Sequence, residues 1–208
     1  MLDAMSSITL YAAPMSSASP VLFAMAELGL PHESVPIDLK GDRHKQPDFL
    51  DLNPMGQVPT LVVDGHPIFE SSACLAFLGE RFGRERGLWP DAGSAEHMRA
   101  LTWLAWSAVT LGHTIRQCFA NGEHAPEDMR NAKQLEAGRA RYGELLRILD
   151  GHLGQHAFVA GEAFTLADCH ASANVGWSAR VLELDLATTP RVAAWLETCF
   201  AREAAQAM

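Results

Sequence analysis

Apolar residues follow two periods along this chain, and the change from one to the other divides it. Ile8-Thr9-Leu10-Tyr11 reads as a first strand and 12–19 as a loop of small residues. Pro20 opens a helix whose Val21, Met25 and Leu28 share a face and which Gly29 stops. His32 to Ile37 reads as a second strand, completing a strand–helix–strand unit and predicting a parallel pair. Thr60-Leu61-Val62-Val63 is a third strand, Asp64-Gly65 a tight hairpin signal, and His66-Pro67-Ile68-Phe69 the returning strand. Cys74, Leu75, Leu78 and Phe82 then fall on one helical face, with Ser71 as the expected N-cap.

Residues 83–93 carry three glycines and Pro90 without any period, which places a domain boundary there. Beyond Ser94 only helical spacing remains. Leu101, Leu104, Ala105, Ala108, Leu111 and Ile115 define the expected core face of a long helix ended by Asn121-Gly122. Glu127 to His152 reads as a second helix facing the core with Tyr142, Leu145, Leu146 and Leu149. Thr165 and Asp168 have the spacing of a capping box, which assigns Asp168 a structural role, with Phe164 and Cys169 placed as a hydrophobic staple. Thr189-Pro190 starts a last helix with Val192, Trp195, Leu196 and Cys199 inward, and the residues after Arg202 are expected to fray. The fold class is therefore α/β followed by all-α, with domains at 1–83 and 94–208.

Composition narrows the function. A formal charge of −9 disfavours nucleic acid or an anionic membrane surface as partner. An anionic ligand would need a local basic patch, which Lys40, Arg43, His44 and Lys45 supply; their plainer reading is a solvated loop. Cys74, Cys118, Cys169 and Cys199 stand far apart in apolar contexts, as buried residues do in a reducing compartment. With no cationic leader and no long apolar run, a cytoplasmic location is expected. His152 and His156 have the i,i+4 spacing of metal ligands, but Gly154 lies between them and no third ligand is near, so no metal is expected.

Candidate chemistry centres on Asn53-Pro54-Met55-Gly56-Gln57-Val58-Pro59-Thr60-Leu61, a proline-bracketed loop feeding the third strand. The Val58-Pro59 bond is expected to be cis, with the Val58 backbone groups facing a ligand. Glu70-Ser71 puts a helix N-terminus beside it, where free N–H groups and the positive dipole end attract an anion.

This combination resembles the glutathione-binding half of the glutathione S-transferases, whose thioredoxin-like domain has a cis-proline before its third strand and an acidic or amide residue plus serine opening its third helix. Residues 41–50, Gly41-Asp42-Arg43-His44-Lys45-Gln46-Pro47-Asp48-Phe49-Leu50, are similar to the plant phi class and its bacterial relatives. The resemblance implies glutathione as co-substrate, a small hydrophobic electrophile and a homodimer. It implies that His44 and Lys45 meet the glycine end of glutathione, Gln57, Val58 and Pro59 form its backbone site, and Glu70 and Ser71 bind the γ-glutamyl group. It makes Ser16 the residue whose hydroxyl donates to the thiolate. Ser17 is held in reserve, since it aligns with the cysteine of beta-class relatives. Without the resemblance, Ser16, Ser17 and Ser19 read as a loop and an N-cap. Trp103, Trp106, His113, Arg116 and Phe119 are candidates for the electrophile pocket, although aromatic residues at helical spacing more often build a core. A non-catalytic binding protein of the same fold is the alternative, and an isomerase or dehalogenase a third possibility.

Overall fold

The computed structural model describes residues 6–208. Strands β1 (Ile8–Ala12), β2 (Glu33–Pro36), β3 (Thr60–Val63) and β4 (His66–Phe69) form one sheet in the order β2-β1-β3-β4. The β1–β2 pair is parallel and the other two are antiparallel, with Leu10 opposite Leu61 and Thr60 opposite Phe69. The hairpin turn has both Asp64 and Gly65 at positive φ, 52° and 81°, as the twist of a two-residue turn requires.

Alternation along β1 and β3 decides what each sheet face covers. Ile8, Leu10, Leu61 and Val63 point into the main core with helices α1 (Ser19–Leu28) and α3 (Ser71–Leu78). Tyr11 points the other way and meets Phe49 of the short helix α2 (Pro47–Leu50) edge-on at 5.7 Å. Phe49 shares this second cluster with Ala13, Ile37 and Val58. Burying Val58 there fixes the loop before β3 from behind.

Among the described residues after 94 every regular element is helical: α4 (Ala95–Ala105), α5 (Gly112–Asn121), α6 (Ala132–Leu153), α7 (Leu166–Val181) and α8 (Pro190–Phe200). A π-helical turn, Trp106–Leu111, joins α4 to α5, so the long helix is continuous but widened at its middle. Its core face differs from the expected one. Leu104, Leu111 and Ile115 are buried, but Leu101 is 41% exposed and Ala105 also faces out. Ala100, Trp103 and the polar Ser107 and Thr114 are buried instead. The inward face is one residue out of step because two of its members are hydrophilic, which a hydropathy pattern discounts.

Three further departures have identifiable causes, and the segment read as a domain boundary is itself held in place. Ser71 is the first residue of α3, while Glu70 occupies the N-cap position at φ 68° and ψ 118°. The second helix starts at Ala132, where the Asn131 side chain accepts from the Gln134 N–H; Glu127–Met129 is a separate 3-10 turn. The 83–93 segment is anchored, because Trp89 is 3% exposed, donates Nε1–H to Glu80 at 3.0 Å and lies so close to Gly79 that a Cβ there would overlap its ring. The chain end is held too: Arg202 pairs with the buried Glu27 of α1 and lies 4.0 Å from the centre of the Phe164 ring, and Glu203–Ala207 forms a 3-10 turn against α1.

The four cysteines are free and buried. Burial pushes the Cys74 thiol up to about 12, so it is not a reactive thiolate at neutral pH. No helix among the described residues is long and apolar enough to cross a membrane.

Candidate active site

A cavity of about 510 Å³ opens where the loop after β1, the loop before β3 and the start of α3 face α5 and α7. Asn53 organises its floor. Only 1% exposed, this residue donates Nδ2–H to the Gln57 carbonyl at 2.8 Å and to Thr60 Oγ1 at 3.0 Å, while its Oδ1 accepts the Met55 N–H at 3.0 Å. The loop is thus tied across its own width. Gly56 permits the tight pass, with φ 58° and the His44 carbonyl placed 3.0 Å from where a Cβ would stand. The Val58–Pro59 bond is cis, as expected.

Ser16, Ser17, Gln57, Val58, Pro59, Glu70, Ser71 and Arg116, all expected at a site, line this one cavity. Their present partners matter. The Ser16 hydroxyl donates to the Ala13 carbonyl at 2.6 Å and accepts the Ala18 N–H at 3.2 Å. The Ser17 hydroxyl donates to the Val58 carbonyl at 2.7 Å, bridging the two loops and engaging one of the Val58 groups expected to face outward. A carbonyl oxygen has two lone pairs, so it can accept once more. Glu70 is exposed at the mouth, and its positive φ is one that a non-glycine residue adopts only at a cost of about 1–3 kcal/mol.

Other expected residues stand elsewhere. His44 and Lys45 are on the 3-10 turn Arg43–Lys45, outside the cavity lining. Lys45 pairs with Asp42 at 2.9 Å and Arg43 with Asp48 at 2.6 Å, so acidic neighbours offset half of the basic patch. His44 Nδ1 is buried without a partner among the described residues. Trp103 and Trp106 pack edge to face at 4.9 Å in and beside the core, and His113 is exposed; none of the three lines the cavity. Phe119 does, together with Trp177, whose ring centre lies 5.8 Å from its own.

Among the described residues no group of three or more His, Cys, Asp or Glu side chains is arranged to hold a metal ion. His152 Nε2 is within 2.9 Å of the Val159 carbonyl, and His156 lies beside Glu162.

Sequence reasoning missed His170. It is 1% exposed, reaches the cavity wall from α7, and places Nε2 2.9 Å from Ser71 Oγ. On its other side Nδ1 is 3.0 Å from Ser107 Oγ and 3.4 Å from Asn174 Nδ2. Burial lowers its pKa to about 4, so the ring is neutral at pH 7. The signal lay in the i,i+4 pair of His170 and Asn174 on an otherwise buried helix, but its partners Ser71 and Ser107 are far away in sequence.

The family model described as "Glutathione S-transferase, N-terminal domain" matches residues 15–81, and that described as "Glutathione S-transferase, C-terminal domain" matches 104–203. The chain belongs to the glutathione S-transferase family. Glutathione S-transferase 3 of Zea mays is 33% identical over 97% of this chain and 93% of its own length. A glutathione transferase structure from Methylococcus capsulatus superposes with a TM-score of 0.83 at 29% identity, covering 96% of both chains. The fold is also that of a Phanerochaete chrysosporium glutathione transferase solved with oxidized glutathione, with a TM-score of 0.88 at 24% identity over 97% of this chain and 94% of that one. The thioredoxin-like sheet followed by a helical domain is the architecture of this family.

Proposed function

We propose that the cavity binds glutathione and that the protein adds its thiolate to small hydrophobic electrophiles. The carrying observation is the convergence of Ser16, Val58, Glu70 and Ser71, from three separate segments, on one cavity walled by α5 and α7. The γ-glutamyl carboxylate lies at the N-terminus of α3, where backbone N–H groups and the Ser71 hydroxyl donate to it. Glu70 meets the ammonium group. Gln57, Val58 and Pro59 present the peptide-binding edge, and His44 and Lys45 serve the glycine carboxylate from the neighbouring turn. A thiol of pKa ~8.5 is mostly protonated at neutral pH, so a hydroxyl donor that favours the thiolate raises the reactive fraction. Ser16 is that donor, with Ser17 in reserve.

The electrophile occupies the side opposite α3, where Met15, Arg116, Phe119 and Trp177 supply mostly apolar wall. Titrating the purified protein with glutathione in a calorimeter, while following bound thiolate absorbance against pH, tests the proposal. Saturable binding with a thiol pKa below that of free glutathione is expected, along with conjugate formation from an aromatic halide. Absence of glutathione binding would remove the reading altogether. Binding without a depressed thiol pKa would favour a carrier over an enzyme, a second reading supported by the present engagement of both serine hydroxyls with carbonyl groups.

We further infer a homodimer in the cytoplasm. Met98, Leu101, Ala105 and Val109 make an outward stripe on α4 and the following turn, with Met98 59% and Val109 67% exposed. A second copy covers this stripe. Sedimentation should give twice the chain mass, and Leu101→Glu with Val109→Glu should yield monomers. A wild-type monomer at micromolar concentration would refute it. The buried free cysteines suit a reducing compartment.

A further inference from the structure

Ser71 Oγ faces the cavity and is held from behind by a histidine of the helical domain, not by its own helix. The direction of that hydrogen bond matters for a ligand. A hydroxyl has one proton and two lone pairs. If it donates to the imidazole, its proton is consumed; if it accepts, the proton is free for an anion.

The surroundings of Nδ1 decide the direction. Asn174 Nδ2 is purely a donor; it approaches His170 Nδ1 at 3.4 Å and Ser107 Oγ at 3.0 Å. A proton on Nδ1 would face that amide donor. On that ground the proton of the neutral ring is assigned to Nε2, with Ser107 donating to Nδ1 at 3.0 Å and Nε2–H donating to Ser71 Oγ at 2.9 Å. Every donor in the line from Asn174 through Ser107 and His170 to Ser71 points toward the cavity.

We propose that His170 is a positioning residue for glutathione binding: its Nε2–H, fixed by Ser107 and Asn174, fills an acceptor site of Ser71 and leaves the Ser71 proton directed at the γ-glutamyl carboxylate. This rests on the reading of Ser71 as a ligand of that carboxylate. It also gives the site a dependence on the helical domain, since Ser107 precedes α5 and His170 and Asn174 lie on α7, while Ser71 opens α3.

Three measurements test it. In the unsubstituted protein, nitrogen-15 shifts of His170, assigned by their loss in His170→Gln, should report the Nε2–H tautomer from pH 6 to 8; an Nδ1–H tautomer would overturn the proposal without any variant having to fold. His170→Leu should raise the glutathione Kd and KM about threefold to tenfold, the effect of one neutral hydrogen bond, with kcat at saturation nearly unchanged. His170→Gln, whose amide nitrogen reaches the place of Nε2, should restore most of that loss. In a Ser71→Ala background, His170→Leu should add nothing, because the effect runs through Ser71. An undiminished effect there, or a fall in kcat alone, would overturn the proposal. If Ser71→Ala weakens glutathione and His170→Leu does not, the His170 role alone falls. If Ser71→Ala leaves affinity unchanged, the carboxylate reading falls and takes this role with it.

Discussion

Replacing Asp168 with alanine is expected to lower the unfolding free energy by about 3–5 kcal/mol, well beyond the ~0.5–2 kcal/mol of a lost helix cap. The carboxylate has no exposed surface and accepts four hydrogen bonds. Two come from Thr165, whose N–H closes the capping box of α7 and whose hydroxyl adds a second bond, both at 2.9 Å. The Val159 N–H at 2.9 Å and the Trp195 Nε1–H at 3.0 Å come from the turn before α7 and from α8. Burial pushes the carboxyl pKa above its ordinary value, and the four donors offset only part of that rise. Alanine would leave buried donors unsatisfied, each costing about 1–3 kcal/mol before relaxation. Urea unfolding measures the loss. Asp168 does not line the cavity, so glutathione affinity of the remaining folded protein should be unchanged. A loss below about 1 kcal/mol would show that the three segments do not depend on this carboxylate.

Ser16→Ala should cut turnover at pH 6.5 roughly 2- to 30-fold and raise the pKa of bound glutathione, with little change in glutathione affinity. On the proposed role, rotating the Ser16 hydroxyl would turn its proton away from the Ala13 carbonyl, to which it now donates, and toward the thiolate. The gain is the difference between a charge-assisted bond of ~1.5–3 kcal/mol and an ordinary one of about 1 kcal/mol. That difference bounds the rate effect. Ser17→Ala should act differently, because Ser17 bridges to the Val58 carbonyl and its loss loosens two loops. It should raise the glutathione KM more than it lowers kcat. Thiolate absorbance against pH, recorded for wild type and both variants, separates these outcomes. A larger pKa rise in Ser17→Ala would transfer the thiolate role to Ser17.

Much of the fold was legible because local chemistry agreed with it. Period-two strands, Gly29 at φ 58°, the Asp64-Gly65 turn, the Thr165–Asp168 box and the inward faces of α6 and α8 all follow from neighbours in sequence. The loop of the candidate site was legible for the same reason. Its bracketing prolines, the serines before Pro20, and Glu70-Ser71 are short-range signals, and Ser16, Ser17, Pro59, Glu70 and Ser71 do converge on one cavity.

What the sequence determined alone was thus the order of elements and most of the residues facing the site from the sheet side. Tertiary structure decided the rest. The inward face of the long helix through α4 and α5 lies one residue away from the one its hydropathy predicts because Ser107 and Thr114 are buried, and only their partners make that burial acceptable: His170 and Asn174 for Ser107, the Thr110 carbonyl for Thr114. His170 escaped notice because a histidine on a helix says nothing of the serine it will meet 99 residues away. Asp168 was legible as a cap but not as the meeting point of three segments. Local propensity is set by residues a few positions apart, whereas a buried polar group is stable only through the partners that folding brings to it.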